Sequence, residues 1–159
     1  MNQWDPLRPD RREWELIRKA VLGRDDHTCA CCGHRASKWM NIHHLEDGDD
    51  NRLDNLCTLC VACHAVMHMG LSLQVGTIEI WKAAISQVEI VRATREGVRS
   101  GKTLAEINAG FGLKKGRRDP DSCDWGNALL RKMGPDPRAE LPKPLCAVFV
   151  DLKRWQLEP

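Results

Sequence analysis

The sequence predicts an α+β protein: a small core of one lead-in helix, two short strands and a second helix, stapled by metal, followed by a mainly helical extension. Three observations predict it. Two Cys-x-x-Cys pairs lie within residues 29–63, and residues 41–68 hold four of the chain's six histidines and three of its eight cysteines. The apolar pattern around them switches between the helical repeat and short strand-like runs. A 159-residue chain with 42% hydrophobic and 29% charged residues can build one modest core, and small cores are commonly reinforced by a metal.

Residues 1–10, with two prolines and mixed charges, read as an irregular arm. Over residues 10–22, Trp14, Ile17, Val21 and Leu22 recur at helical spacing, with Asp10 as N-cap and Gly23 as stop. The tight turn Cys-Ala-Cys-Cys-Gly follows. Residues 37–42 predict a strand running into His43 and His44, residues 45–55 an acidic loop, 56–59 a second strand, and 61–69 a helix ended by Gly70. The core is therefore 11–70 and the extension 71–159. In the extension, Leu71, Leu73 and Val75 alternate as in a strand. Residues 78–98 predict one long amphipathic helix with Ile78, Trp81, Ala84, Ile85, Val88 and Val91 on one side. A short helix at 104–109 carries Thr103 and Glu106 as a capping box. Residues 110–144 are rich in Gly, Pro and charge, with a helical patch at 127–132, and 146–152 predict a final strand or short helix.

Net charge is +2, but it is unevenly spread: residues 1–69 carry 9 Lys/Arg against 11 Asp/Glu, and residues 70–159 carry 15 against 11. The second half is the better phosphate-holding half. The first residues contain no apolar signal-peptide core, and the longest apolar run, 145–150, is far too short to span a membrane. We expect a cytoplasmic protein with no membrane partner, where cysteines stay reduced and bind metal. Nucleotide cofactors are not expected either. Gly101-Lys102-Thr103 ends a would-be phosphate loop, but Glu96 occupies its first glycine position, and Gly110 to Gly116 misses the dinucleotide spacing by one residue.

Cys29-x-x-Cys32-Gly33 and Cys60-x-x-Cys63, separated by 27 residues, have the spacing of two zinc knuckles. Gly33 favours Cys32 over Cys31 as the second ligand, because a knuckle needs a positive-φ residue after it. For the second pair, Cys57/Cys60 remains an alternative to Cys60/Cys63. Cys123 and Cys146 lack partners at metal spacing and read as structural.

His64 and His68 stand four apart and share one helix face, whereas Cys63 is rotated from His64 by about 100°. Sulfurs and imidazoles thus aim at different points, which predicts two metal sites. His43 and His44 are strand neighbours pointing to opposite faces, so one suits metal ligation and the other proton uptake.

The run Cys29-Ala-Cys31-Cys32-Gly33, Ile42-His43-His44-Leu45, Asn55-Leu56, Leu59-Cys60-Val61-Ala62-Cys63-His64 and His68 resembles the HNH endonuclease family. The preceding helix with Trp14, Arg18, Arg24 and Asp25 is also similar, so the resemblance spans residues 14–68. It implies a ββα-metal core, with His44 as general base, His43, His64 and His68 as ligands of one catalytic divalent ion, and Asn55 as the residue that pins the loop holding the base. It also implies a structural zinc on Cys29, Cys32, Cys60 and Cys63. Cys31 and Cys57 are extra thiols. The implied catalytic ion is Mg²⁺ or Mn²⁺, with Zn²⁺ or Ni²⁺ as alternatives. The implied reaction is phosphodiester hydrolysis in DNA, leaving a 5′-phosphate and a 3′-hydroxyl.

Lys114, Lys115, Arg117 and Arg118 form a basic cluster suited to phosphate contacts, and Arg92, Arg95 and Arg99 recur at helical spacing and would extend that surface. Trp125 and Trp155 read as core residues rather than base-stacking platforms. Two rival functions stand beside the enzyme: a zinc-stapled binding module with an idle histidine cluster, and a nuclease subunit that works only with other protein subunits.

Overall fold

The structure, a computed structural model, describes residues 9–46, 48–83, 85–112, 122–153 and 156–157. Among these it is a mixed α/β protein with six helices and two small antiparallel sheets. The basic cluster at Lys114, Lys115, Arg117 and Arg118, and Trp155, lie outside the described residues. No described helix is long and apolar enough to cross a membrane.

Helix α1 (Arg11–Arg24) starts where Asp10 caps it, accepting from the Glu13 amide at 2.8 Å, and it runs one residue past Gly23. Strand β1 (Met40–His44) pairs with β2 (Leu56–Cys60) so that Met40 faces Cys60 and His44 faces Leu56. A 3₁₀ turn (Leu53–Asn55) leads into β2. Helix α2 (Val61–Met67) follows directly, with Ala62, Cys63, Val66 and Met67 buried. The end of α1 clamps this hairpin. Arg24 donates to the carbonyls of Leu53 at 2.6 Å and Leu56 at 2.7 Å, and Asp25 accepts from the Thr58 amide at 2.9 Å. Burial alone would raise the Asp25 carboxyl, but bonds from Arg24 and Thr58 outweigh it and hold it below the usual range.

Two sequence expectations fail beyond α2. Residues 71–75 are not a strand: helix α3 (Met69–Gln74) takes 71–74 with Val75 as its C-cap, and Gly70 lies inside it instead of ending the previous helix. The reason is a close crossing with α6 (Ser122–Met133), where a Cβ on Gly126 would sit 2.8 Å from the Gly70 Cα. Paired glycines let the backbones meet, and that contact rewards helix whatever the local alternation suggests. Leu71 and Val75 consequently face solvent while Leu73 is buried.

The long helix expected over 78–98 divides. Residues 78–82 form strand β3 (Ile78–Lys82), paired with β4 (Leu145–Phe149) in a register that sets Ile78 against Phe149. Only residues 87–99 are helical, as α4 (Gln87–Arg99), started by a Ser86/Glu89 capping box. Among the described residues the extension is mainly helical, with one two-stranded sheet that the sequence did not predict. Helix α5 (Leu104–Gly110) carries the Thr103/Glu106 capping box, and α6 extends well beyond the patch foreseen at 127–132. Side-chain amides lock these helices to β4: Gln87 exchanges two hydrogen bonds with Ala147 at 2.9 and 2.7 Å, and Asn108 donates to the Phe149 carbonyl at 2.8 Å. One continuous apolar cluster joins both halves, from Leu22 and Leu59 through Val66, Ile90 and Val91 to Phe149 and Leu157.

Candidate metal centres

Two ligand groups form where the knuckle, the hairpin and α2 meet. In the first, the sulfurs of Cys29, Cys32, Cys60 and Cys63 all lie within 4.8 Å of one another, and all four residues are buried. Gly33 takes φ 79°, letting the first knuckle close, with its amide donating to the Cys29 carbonyl at 3.0 Å. The Ala30 amide donates to the Thr58 carbonyl at 2.8 Å and ties that knuckle to β2. The second pair comes from the β2–α2 junction, since Cys60 ends the strand and Cys63 sits in the first turn of the helix.

The donor set suits zinc. Tetrahedral thiolates at about 2.3 Å from an ion have sulfurs about 3.8 Å apart, and the Cys32 and Cys60 sulfurs stand 3.7 Å apart. Bonds among the sulfurs pull Cys32 and Cys60 toward the thiolate form, in both cases chiefly the bond from Cys29, and hold Cys29 and Cys63 as thiols, through the bonds to Cys32 and Cys29 respectively. Such a group can hold a structural metal. Cys57, the alternative ligand, stays outside this group on the same strand, where burial pushes its thiol up to about 11. Cys31 is partly exposed at the edge, and among the described residues neither Cys123 nor Cys146 joins a ligand cluster.

The second group is His43 from β1 with His64 and His68 from α2 and its C-cap, their ligand atoms likewise within 4.8 Å. The rings meet edge to face, with centroids 5.7 Å apart for His43–His64, 5.3 Å for His43–His68 and 4.4 Å for His64–His68. Burial, then repulsion from neighbouring histidines, pulls both His43 and His64 down to about 4, and burial lowers His68 as well. The rings are therefore neutral near pH 7, with lone pairs available to a cation. Among the described residues His43 Nδ1 is buried with no hydrogen-bond partner, an arrangement that costs stability unless a further group satisfies it. A cation among the three rings fits that donor set.

His44, the next residue, turns to another side. Its ring stacks on Trp14 at 6.0 Å, and its Nε2 lies 2.9 Å from Asn51 Oδ1. Asn55 spans the loop between them, accepting from the Glu46 amide at 3.1 Å and donating to the Asp50 carbonyl at 2.8 Å. The sequence reading did not single out Asn51. The only signal was its place in the loop that returns to the histidine pair, and loop closure is a tertiary fact. Of the arginines of α4, Arg95 departs from expectation, since it is buried, whereas Arg92, which donates through Nε to the Cys32 carbonyl at 3.0 Å, and Arg99 are exposed. Trp125 is half-buried against the core.

No family model matches the sequence. Two curated proteins are similar to part of it. The "Type 4 apparatus protein DotN" of Legionella pneumophila is 35% identical over 75 residues, covering 44% of this chain and 35% of that protein. The "Probable HNH endonuclease" of Lactococcus phage SK1 is 34% identical over 64 residues, covering 35% of this chain and 68% of that protein. The chain therefore matches about a third of the first relative's length and two thirds of the second's.

Proposed function

We propose that this chain, which belongs to the same family as the "Probable HNH endonuclease" of Lactococcus phage SK1, is a metal-dependent endonuclease that hydrolyses phosphodiester bonds in DNA. The observation that carries the reading is the His43/His64/His68 group with His44 beside it in sequence but turned to a different partner. His43, His64 and His68 would hold one divalent ion, Mg²⁺ or Mn²⁺ by the reaction's needs, and Cys29, Cys32, Cys60 and Cys63 a structural zinc. When bound, the catalytic cation offsets charge on the scissile phosphate and on the departing 3′ oxygen.

The chain's own residues supply the rest. His44 takes the proton of the attacking water as general base. With Nε2–H donated to Asn51 Oδ1, the tautomer leaves Nδ1 as the basic atom. Trp14 stacks on the ring and limits its rotation. Asn55 keeps the loop in the shape that presents Asn51 to His44. The products are a 5′-phosphate and a 3′-hydroxyl.

Supercoiled plasmid incubated with purified protein and Mn²⁺ or Mg²⁺ tests the proposal. Nicking is expected, and His44→Ala is expected to abolish it while circular dichroism and zinc content stay unchanged. A His44→Ala protein as active as the wild type would refute the mechanism. The similarity to an apparatus protein favours a second reading, a zinc-stapled module whose role is assembly with other subunits. In that case the isolated protein leaves every plasmid intact with either metal.

A further inference from the structure

Arg95 is the one Lys, Arg, Asp or Glu among the described residues that is buried, with 4% of its surface exposed. A guanidinium keeps its proton at any accessible pH, so a full positive charge has been taken out of water. That is costly unless an anion takes the place of the water. Among the described residues no carboxylate pairs with it. Its Nε donates to the Leu157 carbonyl at 3.0 Å, its Nη1 donates to the Cys32 sulfur at 3.7 Å, and its Nη2 is buried without a hydrogen-bond partner among the described residues.

A carbonyl offers only a partial charge. Among its contacts with described residues, the one able to carry a whole negative charge is sulfur. Four neutral thiols carry none, whereas a divalent ion on four thiolates carries a net charge of about −2. The burial of Arg95 therefore makes electrostatic sense beside the metal-loaded cluster, whose negative charge exceeds that of the bare sulfurs. The geometry points to a specific role: we propose that Arg95 is the counter-ion of the four-sulfur metal site, latching α4 and the segment at Leu157 onto the knuckle through the negative charge of the metal-loaded sulfurs. The proposal rests on metal binding by the sulfurs and not on nuclease activity.

Arg92 supplies the control. It grips the same knuckle through the Cys32 carbonyl, a bond that does not depend on the charge of the sulfurs. Zinc-loaded wild type, Arg95→Met, Arg95→Lys and Arg92→Met are compared for zinc transfer to a chromogenic chelator and for the pH at which acid drives zinc out. A hydrogen bond from a charged donor makes thiolate harder to protonate. Losing it in Arg95→Met should raise the release pH by about one unit and speed transfer about tenfold. Arg95→Lys should recover most of the loss, and Arg92→Met should stay near wild type. Wild-type behaviour of Arg95→Met, or Arg95→Lys as leaky as Arg95→Met, overturns the proposal. Should Arg95→Met fail to fold, zinc-loaded wild type labelled with ¹⁵N-arginine decides. One guanidinium should exchange slowly with solvent and lose that protection on zinc removal, and fast exchange in the loaded protein overturns the idea. A protein that takes up no zinc on its sulfurs overturns it too, leaving the plasmid assay to judge the nuclease reading separately.

Discussion

Replacing Asn55 with alanine tests how the loop over residues 45–55 serves His44. Among its contacts, the side chain accepts from the Glu46 amide at 3.1 Å and donates to the Asp50 carbonyl at 2.8 Å. At about 0.5–1.5 kcal/mol each, their loss costs about 1–3 kcal/mol of loop order. For a chain of this size each kcal/mol lowers the melting temperature by about 2–4 °C. The same loop carries Asn51, whose Oδ1 meets His44 Nε2 at 2.9 Å. If that order is spent on orienting the base, plasmid nicking falls by about tenfold for each 1.4 kcal/mol, so about 5- to 150-fold in all. Asn55→Asp keeps the acceptor and loses the donor, and should fall between. The assay pairs initial nicking rates at saturating Mn²⁺ with a thermal melt. An Asn55→Ala protein that melts several degrees lower yet nicks at the wild-type rate would separate loop order from His44 and refute the reasoning.

Two further outcomes follow from the ligand geometry. Cys63→Ala should lose the zinc that resists EDTA, while Cys31→Ala and Cys57→Ala should keep one equivalent each by elemental analysis, because neither Cys31 nor Cys57 joins the four-sulfur group; loss of zinc from Cys57→Ala would shift the register. Because His43 and His64 are held to about 4, protons compete poorly with a cation until pH approaches that value. Mn²⁺ affinity measured by titration should change little between pH 7.5 and pH about 5.5, in contrast to the drop through about 6.5 that ordinary imidazoles would give.

Several parts of this protein were legible in the chain. Asp10 announced the start of α1, Thr103 and Glu106 announced α5, and Gly33 announced the positive φ that closes the first knuckle. Local chemistry governs each of these, so local sequence reveals it. The failures share the opposite cause. Leu71, Leu73 and Val75 alternate like a strand, yet helix wins because Gly70 meets Gly126 across 56 positions of sequence. Ile78 and Ile80 follow strand alternation, but the long apolar pattern around them reads as helix until β4 arrives to pair with β3. Ser86 and Glu89, the box that starts α4, stand in local sequence inside the stretch whose apolar pattern reads as one long helix.

The candidate site divides the same way. Residue type and spacing named the cysteines and histidines, since coordination chemistry restricts both. Spacing left Cys57 and Cys63 in competition, the predicted strand-to-helix junction favoured Cys63, and the fold agrees by ending β2 at Cys60 with Cys57 left in the strand. Asn51 beside His44, and Arg95 against Cys32, join groups 7 and 63 residues apart in the chain. By itself the sequence determined which atoms are able to bind metal and where helices begin, because these depend on the residue and its near neighbours. Which distant groups surround those atoms was decided by the tertiary structure alone, because burial and charge pairing are properties of packed surfaces that no single segment contains.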